Sequence, residues 1–249
     1  MSKLRQVFNK IKNKIHWCFK INWIKTWYFN ISFFPLKDAL KLPVLIFGPC
    51  KLTSLKGNFV FNVPIETGII TFGHPFEIFK KPAFGSEIIV DGTWTVNGAI
   101  CFGIDTKLYI EKNANFEHGA WCTVSTMSKI YCSKYITFGD FVQIGDESMV
   151  LDTNFHDLYD LEKKINLPKS GSIHLGSYIY IGLRTTIKSG TIIQDHAMVA
   201  SNSLCNKDYT SLGSNVLIGG IPAKFIKSGI SRDWESEKEQ LKNYLTIKL

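Results

Sequence analysis

The cysteines show no pattern that would hold a metal ion or a disulfide framework. No Cys-x-x-Cys pair and no Cys/His cluster occurs among the six, which are scattered along the chain: Cys18, Cys50, Cys101, Cys122, Cys132 and Cys205. Scattered cysteines in a long chain are typical of reduced proteins rather than of small secreted scaffolds. We therefore expect a cytoplasmic protein that needs no metal.

Long apolar runs are also missing. No run reaches the roughly 18–20 residues that a transmembrane helix requires. The N-terminus is basic, but it is not a convincing secretory signal, because Lys20 and Lys25 interrupt every apolar stretch in it.

Acidic residues are absent from residues 1–37, where eight basic residues lie: Lys3, Arg5, Lys10, Lys12, Lys14, Lys20, Lys25 and Lys37. The rest of the chain has 21 basic and 21 acidic residues, so this N-terminal arm accounts for the net charge of +8. Apolar residues recur at helical spacing over residues 4–19, and several Trp and Tyr residues follow. The pattern indicates a helix on an anionic membrane, or a helix packed on the rest of the protein or on a neighbouring copy. Nothing else in the sequence favours nucleic-acid binding.

An internal repeat occupies the C-terminal half. An aliphatic residue returns every six positions at Leu175, Ile181, Ile187, Ile193 and Val199, often followed by a small or polar residue. The step fails over residues 205–211 and then returns. It also occurs upstream, less regularly toward the N-terminus, at Phe138, Ile144, Val150, Ile136, Ile130, Phe116, Ile110 and Ile104.

A period of six fits neither an α-helix nor an isolated strand. It fits short strands joined by tight corners, with one aliphatic residue per side pointing inward and stacking on the next coil. Three sides form a triangular turn of roughly eighteen residues, and each coil buries its inner face only against its neighbours. The sequence therefore predicts an all-β protein with a parallel β-helix over residues 38–227. A β-sandwich of short strands is the alternative.

Residues 136–227 resemble the hexapeptide-repeat acyltransferases, and Ile218–Lys227 is similar to that family's closing segment. The subgroup most like this chain is the bacterial capsule and lipopolysaccharide O-acetyltransferases, whose members combine such a terminus with an Asp-x-x-x-His loop. The resemblance implies a left-handed β-helix and a homotrimer with active sites between neighbouring β-helices. It also implies acetyl-CoA as donor and a sugar or glycan as acceptor.

The period is interrupted after Val150, where a polar loop is predicted to protrude over residues 151–174. Loops that leave a rigid scaffold commonly carry function. The resemblance implies that His156 in this loop is the catalytic base. A neutral imidazole suits that role, because it can take the proton of an acceptor hydroxyl near pH 7.

Two carboxylates lie close to His156 in sequence and could hold its ring in one tautomer. Asp152 is favoured over Asp157 because it belongs to the Asp-x-x-x-His pattern. Asn154 is expected to hold the acceptor sugar or the tautomer. The other histidines, including His118 and His174, fall in or beside the repeat or in turns, where a structural role is expected.

The resemblance also indicates where the acyl donor binds. Positions that match the family's contacts to pantetheine and to the CoA phosphates are Leu183, Ser201, Asn206, Lys207, Lys224 and Lys227. Lys224 and Lys227 would act as point charges on phosphate oxygens. The alternative for these two lysines is a solvated basic tail.

Residues 228–249 are predicted to form a helix after Ser231, with Trp234, Leu241 and Leu245 as packing residues. A helix there could cap the open end of the β-helix, which otherwise exposes unpaired strand edges. The chain is thus divided into an arm (1–37), a β-helix (38–227) and a C-terminal cap (228–249).

Several other functions fit the same fold. An N-acetyltransferase of a nucleotide-linked amino sugar would use the same base, and a non-catalytic trimeric scaffold would use only the repeat. A zinc-dependent γ-type carbonic anhydrase needs three converging imidazoles, and His118, His156 and His174 lack that spacing. Serine acetyltransferases have an N-terminal helical domain that is not evident in residues 38–135. Related sugar acetyltransferases often place an amide side chain on an earlier coil, but residues 121–127 contain no Asn, which leaves the acceptor open.

Overall fold

A computed structural model describes residues 17–75 and 84–245. Its strands are β1 Val44–Ile46, β2 Cys50–Leu55, β3 Asn58–Phe61, β4 Ile70–Phe72, β5 Ser86–Val90, β6 Thr93–Val96, β7 Ile100–Phe102, β8 Lys107–Ile110, β9 Asn115–His118, β10 Cys122–Val124, β11 Lys129–Cys132, β12 Tyr135–Phe138, β13 Gln143–Ile144, β14 Met149–Leu151, β15 Leu158–Asp160, β16 Ile165–Leu167, β17 Ser172–Leu175, β18 Tyr180–Ile181, β19 Thr186–Lys188, β20 Ile192–Ile193, β21 Met198–Val199, β22 Leu204–Cys205, β23 Val216–Gly219 and β24 Lys224–Ser228. The helices are α1 Trp23–Phe33, α2 Leu36–Ala39 and α3 Trp234–Leu245, and a 3-10 turn spans Thr210–Leu212.

Successive strands lie in three different sheets, so the chain winds round a common axis. Sheet 1 has the order β1-β4-β7-β10-β13-β18-β21-β23-β24, sheet 2 the order β2-β5-β8-β11-β14-β19-β22, and sheet 3 the order β3-β6-β9-β12-β17-β20. All pairs in these sheets are parallel except β23 with β24. The predicted left-handed parallel β-helix is confirmed.

The core lies inside the coils and consists of the residues that carry the six-residue period. Leu175, Ile181, Ile187, Ile193 and Val199 are all buried, each on a different side or coil of the helix. A small residue often follows the inward aliphatic residue, and the reason is steric. A Cβ added at Gly182 would lie 2.5 Å from the backbone N of Ser201 in the next coil, so the corners stack too closely for a side chain.

The coils are not of one length. Residues paired on neighbouring coils are 18 positions apart at Tyr180 and Met198. They are 20 apart at Thr123 and Gln143 and 22 apart at Cys101 and Thr123. The predicted turn of roughly eighteen residues therefore holds only for the C-terminal coils. Residues 73–85 form a further long connection, between β4 and β5, so the loop after β14 is not the only interruption of the repeat. Residues 76–83 of that connection lie outside the described part.

Helix α1 covers the open N-terminal edge of sheet 1. The side-chain amide of Asn30 donates to the carbonyl of Val44 at 2.7 Å, and its oxygen accepts from the N–H of Val44 at 3.1 Å. The Thr26 hydroxyl accepts from the N–H of Ile46 at 3.0 Å. Two side chains one helical turn apart thus replace a missing strand on β1. The helix predicted over residues 4–19 falls almost wholly outside the described residues, which begin at residue 17, so it stays a prediction. Helix α1 is a different element, which was not predicted from the sequence.

The C-terminal end is arranged differently from the expected cap. Strand β24 turns back and pairs antiparallel with β23, so it occupies the last edge of sheet 1. Helix α3 lies beside sheet 1 instead. Trp234 packs on Phe141 and Tyr178, with ring centroids 6.4 and 5.8 Å apart, and the buried Leu245 lines a surface pocket together with Ile69. The prediction of a helical cap on the open end is therefore wrong. The apolar corner residues of several coils supply a better packing surface. Within residues 17–75 and 84–245, no helix has the length and apolarity needed to cross a membrane.

Candidate functional site

The loop that carries His156 leaves the β-helix at the corner between sheet 2 and sheet 3. It begins after β14 and ends at β17, and its outer part is the antiparallel hairpin β15–β16. The hairpin presents exposed apolar side chains, among them Leu161 and Ile165. The loop predicted over residues 151–174 corresponds in the structure to the segment between the end of β14 at Leu151 and the start of β17 at Ser172.

Asp152 fixes the base of this loop. Its buried carboxylate accepts hydrogen bonds from the backbone N–H and the hydroxyl of Ser133, at 2.7 and 2.8 Å. The other oxygen accepts from the N–H groups of Lys134 and Tyr135, at 2.7 and 2.9 Å. The Ser133 hydroxyl oxygen is also 2.7 Å from that of Ser170, at the far end of the loop. One carboxylate therefore joins the loop to the corner of the preceding coil.

These contacts correct the expected role of Asp152. Both carboxylate oxygens are used by residues 133–135, and no hydrogen bond joins Asp152 to His156 in the described chain. A buried carboxylate must have its hydrogen bonds satisfied, and three backbone N–H groups at a corner satisfy it. Asp152 is accordingly a positioning residue for the loop.

Further contacts stiffen the segment that leads to His156. The N–H of Asn154 donates to the carbonyl of Lys169 at 2.9 Å, and Lys188 on the next coil donates to the carbonyl of Thr153 at 2.9 Å. The ring of Phe155 packs edge-on against that of Tyr131, with centroids 4.8 Å apart. The imidazole of His156 follows directly and is exposed to solvent. The imidazole of His156 is therefore accessible to solvent, and the segment that carries it is held to the β-helix by several contacts.

The predicted donor positions lie at two edges of sheet 2. Asn206 and Lys207 are exposed at the corner between sheets 2 and 3, two coils beyond the loop, which is about 10 Å along the axis. Leu183 and Ser201 stack on successive coils at the opposite corner, between sheets 1 and 2. The strand residues between Leu183 and Lys188 separate the two edges by about 16 Å. The structure therefore brings Asn206 and Lys207, but not Leu183 and Ser201, to the edge that carries His156.

Lys224 and Lys227 both lie on β24. Lys224 pairs with Gly219 and Lys227 with Leu217, so Lys224 is the nearer of the two to the corner of Leu183 and Ser201. Both side chains are exposed. They belong to a strand at the end of sheet 1 and not to an irregular tail.

A second polar cluster lies on the outer face of sheet 3. Tyr135 donates to Glu117 at 3.0 Å, and the Thr137 hydroxyl is 2.9 Å from Nδ1 of His174. The rings of Tyr135 and His174 are 5.5 Å apart. Burial and the neighbouring carboxylate raise the pKa of Tyr135, so the phenol stays protonated and able to donate. The cluster lines an open groove of about 520 Å³ beside the C-terminal foot of the loop.

Sequence reasoning missed most of this cluster and most of the loop anchors. Glu117, Thr137 and His174 occupy the same column in three successive coils, but the steps between them differ in length. Side chains alternate between the inside and the outside of each strand, so these three residues are the outward neighbours of inward-facing residues. They could have been aligned in one column if the coil lengths had been known. Lys188 could have been recognised in the same way, since it lies one coil beyond Leu151.

The histidines do not converge on a metal site. His118 is fully buried inside the coils, with Nδ1 2.8 Å from the carbonyl of Gly119, and burial lowers its pKa to about 4. His174 lies on the outer face of sheet 3, and His156 lies on the loop. Among the described residues, no group of three His, Cys, Asp or Glu side chains could hold a metal ion.

None of the known protein-family models matches the chain. A curated relative, γ carbonic anhydrase 2 from mitochondria of Arabidopsis thaliana, is 32% identical over 68 residues, which is 27% of this chain and only 24% of the relative. The six-residue period and the three parallel sheets decide the architecture.

The chain has the fold of a left-handed parallel β-helix.

Three acyltransferases of known structure are similar to the chain at low sequence identity. The polySia-specific acetyltransferase NeuO is 18% identical with a TM-score of 0.38, over 81% of this chain and 86% of that one. A mutant of AntD, an N-acyltransferase from Bacillus cereus in complex with a dTDP-amino sugar and coenzyme A, is 15% identical with a TM-score of 0.45, over 85% and 98%. The polysialic acid O-acetyltransferase OatWY is 17% identical with a TM-score of 0.34, over 74% and 91%.

Proposed function

We propose that this protein is an acetyl-CoA-dependent O-acetyltransferase that acts on a sugar hydroxyl in the synthesis of a bacterial surface polysaccharide. The observation that carries the proposal is the exposed imidazole of His156 on an anchored loop, at the same β-helix edge as Asn206 and Lys207. The similarity of the Asp-x-x-x-His loop and of Ile218–Lys227 to the corresponding family segments supports the choice of donor.

The proposed reaction needs one base and no metal. The neutral imidazole of His156 removes the proton of the acceptor hydroxyl as its oxygen attacks the thioester carbonyl. The C–S bond then breaks, the acetyl group stays on the sugar oxygen as an ester, and the imidazolium returns the proton to the CoA thiolate. Asn154, which precedes His156 by two residues, is proposed to contact the acceptor.

The donor site is proposed to form between copies of the chain in a homotrimer. Leu183 and Ser201 lie at one edge of sheet 2, with Lys224 of sheet 1 toward the same corner, and Asn206 and Lys207 lie at the other edge. In a trimer, the edge of one copy that carries Leu183 and Ser201 can face the His156 loop of the next copy. The residues that contact pantetheine and phosphate would then lie beside the catalytic base of that neighbouring copy. The six free thiols suit a reducing compartment, and we propose the cytoplasm as the site of reaction.

The direct test is release of CoA thiol from acetyl-CoA with a panel of free sugars, nucleotide-linked amino sugars and bacterial glycans. The proposal expects acceptor-dependent release and a product whose acetyl group is lost in mild alkali, as an ester is. A product stable to alkali would identify an amide, and the N-acetyltransferase would replace the proposal. Failure of the protein to bind acetyl-CoA at all would favour the alternative of a non-catalytic trimeric scaffold.

A further inference from the structure

Helix α1 is apolar on two opposite faces. One face packs on the β-helix: Phe29 is buried, and its ring lies 4.9 Å from Phe33 and 6.0 Å from Phe59 in β3. Thr26 and Asn30 on the same side bond to β1. This face is fully accounted for by the end of the β-helix.

The opposite face carries large side chains that nothing in the described chain covers. Ile24, Tyr28 and Ile31 are 81%, 60% and 58% exposed. At about 100° per residue they fall within about 60° of one another, on the side away from Phe29 and Phe33. A helix that is apolar on both sides is normally buried on both, so the outer stripe has the character of a contact surface.

The stripe continues on neighbouring segments. Phe19 before α1, and Leu36 and Leu40 in and after α2, are 87%, 67% and 60% exposed. Aromatic residues with a polar edge, Trp23 and Trp27, lie partly exposed along α1. We call the set Phe19, Ile24, Tyr28, Ile31, Leu36 and Leu40 the outer face of α1 and α2.

The charges near this face are mostly positive. Residues 17–41 contain Lys20, Lys25, Lys37 and Lys41 and one acidic residue, Asp38, which is paired with Lys41 at 2.8 Å. The sequence before residue 17 adds five more basic residues and no acid. Apolar and aromatic side chains framed by lysines fit the boundary region of an anionic bilayer, where both the apolar burial and the charges contribute.

We infer that the outer face of α1 and α2 docks on an anionic lipid surface, with the N-terminal end of the β-helix against the membrane. A second copy of the chain fits this face less well. A symmetric contact would place like-charged rims of lysine opposite each other, with Asp38 as the one acidic residue of the segment. The inference stands apart from the proposed acetyl transfer, since it uses none of the loop or donor residues.

The test is co-sedimentation of the full-length protein with vesicles of phosphatidylcholine alone or with about one third phosphatidylglycerol. The triple variant Ile24→Gln, Tyr28→Gln and Ile31→Gln keeps good helix formers at exposed positions, so the fold should be retained. We expect the wild type to bind the anionic vesicles, and the triple variant to bind them at least about tenfold more weakly. Binding by the wild type should also weaken as salt is raised, which needs no variant.

The matched control is Leu161→Gln with Ile165→Gln, which removes two exposed apolar side chains from the hairpin β15–β16. It should bind vesicles as the wild type does. Unchanged binding by the triple variant would overturn the inference, and so would loss of binding in the hairpin control alone. A third overturning result is a change of oligomeric state in the triple variant, seen by analytical ultracentrifugation, because the face would then join copies of the chain.

Discussion

Asp152 and Ser133 are joined twice, since one carboxylate oxygen accepts from both the backbone N–H and the hydroxyl of the serine, at 2.7 and 2.8 Å. The two residues are 19 positions apart in sequence but lie on neighbouring coils. The pair attaches the first residue of the His156 loop to the rigid body of the β-helix. Positioning of the imidazole is therefore built into the repeat itself.

Replacing Asp152 with Asn should destabilise the protein. One oxygen would become an amide NH₂ that faces backbone N–H groups, which leaves buried donors without an acceptor. We expect a loss of about 1–3 kcal/mol in the free energy of unfolding, measured by urea denaturation. Asp157→Asn, an exposed change in the same loop, should alter it by less than about 0.5 kcal/mol. Equal stability of Asp152→Asn and wild type would contradict the anchoring role.

Asn30→Leu should loosen the first coil. The substitution leaves the N–H and carbonyl of Val44 without partners at a buried edge, which costs about 1–3 kcal/mol for each such group at most. Hydrogen exchange should become faster at β1 before other strands respond. Ser32→Ala is the control on the same helix, since the Ser32 hydroxyl is exposed and bonds only to the preceding turn. Unchanged exchange at Val44 would show that α1 does not protect this edge.

Stability should fall on acidification, partly through His118. Burial lowers its pKa to about 4 from the usual 6.5, so between these values the unfolded chain binds a proton that the folded chain does not. The stabilising contribution is complete above pH 6.5 and is lost as pH falls toward 4, by up to about 3 kcal/mol. His118→Leu should flatten the pH dependence of the free energy of unfolding over this range. His74, whose pKa burial also lowers to about 4, stays in both proteins. Parallel curves for the variant and wild type would contradict this assignment.

The donor lysines should affect the KM for acetyl-CoA more than kcat. Lys207→Ala and Lys224→Ala each remove a positive charge from the proposed donor site, and we expect about a three- to tenfold rise in KM. Lys129→Ala removes an exposed lysine from sheet 2 in an earlier coil and should have no effect. If neither Lys207 nor Lys224 changes the KM relative to Lys129→Ala, the proposed donor site is misplaced.

The repeat could be predicted because its physical cause is local. Every inward residue must stack on the coil above, so residues such as Ile181 and Ile187 recur at a fixed step wherever the coils are short. The prediction weakened toward the N-terminus, where coils of 20 and 22 residues shift the step. Helix α1 and its packing were not predicted, because Thr26 and Asn30 are polar and their partners are the backbone of β1.

Only the part of the site that changes the local sequence pattern could be predicted. The loop and its exposed His156 follow from an interruption of the period, which is visible in sequence. The partner of Asp152 is not visible, because it lies one coil back, and the family-like Asp-x-x-x-His pattern suggested His156 instead. The cluster of Glu117, Tyr135 and His174 likewise joins coils of different length.

The account depends most on His156 as the base. Steady-state acetyl transfer should be compared between the wild type, His156→Ala and His174→Ala, with acetyl-CoA affinity measured separately by calorimetry. The account predicts that His156→Ala lowers kcat by about 100- to 10,000-fold with unchanged acetyl-CoA affinity, while His174→Ala retains most of the activity. Near-normal kcat in His156→Ala, with the large loss in His174→Ala instead, would contradict it and move the reaction to the groove on sheet 3.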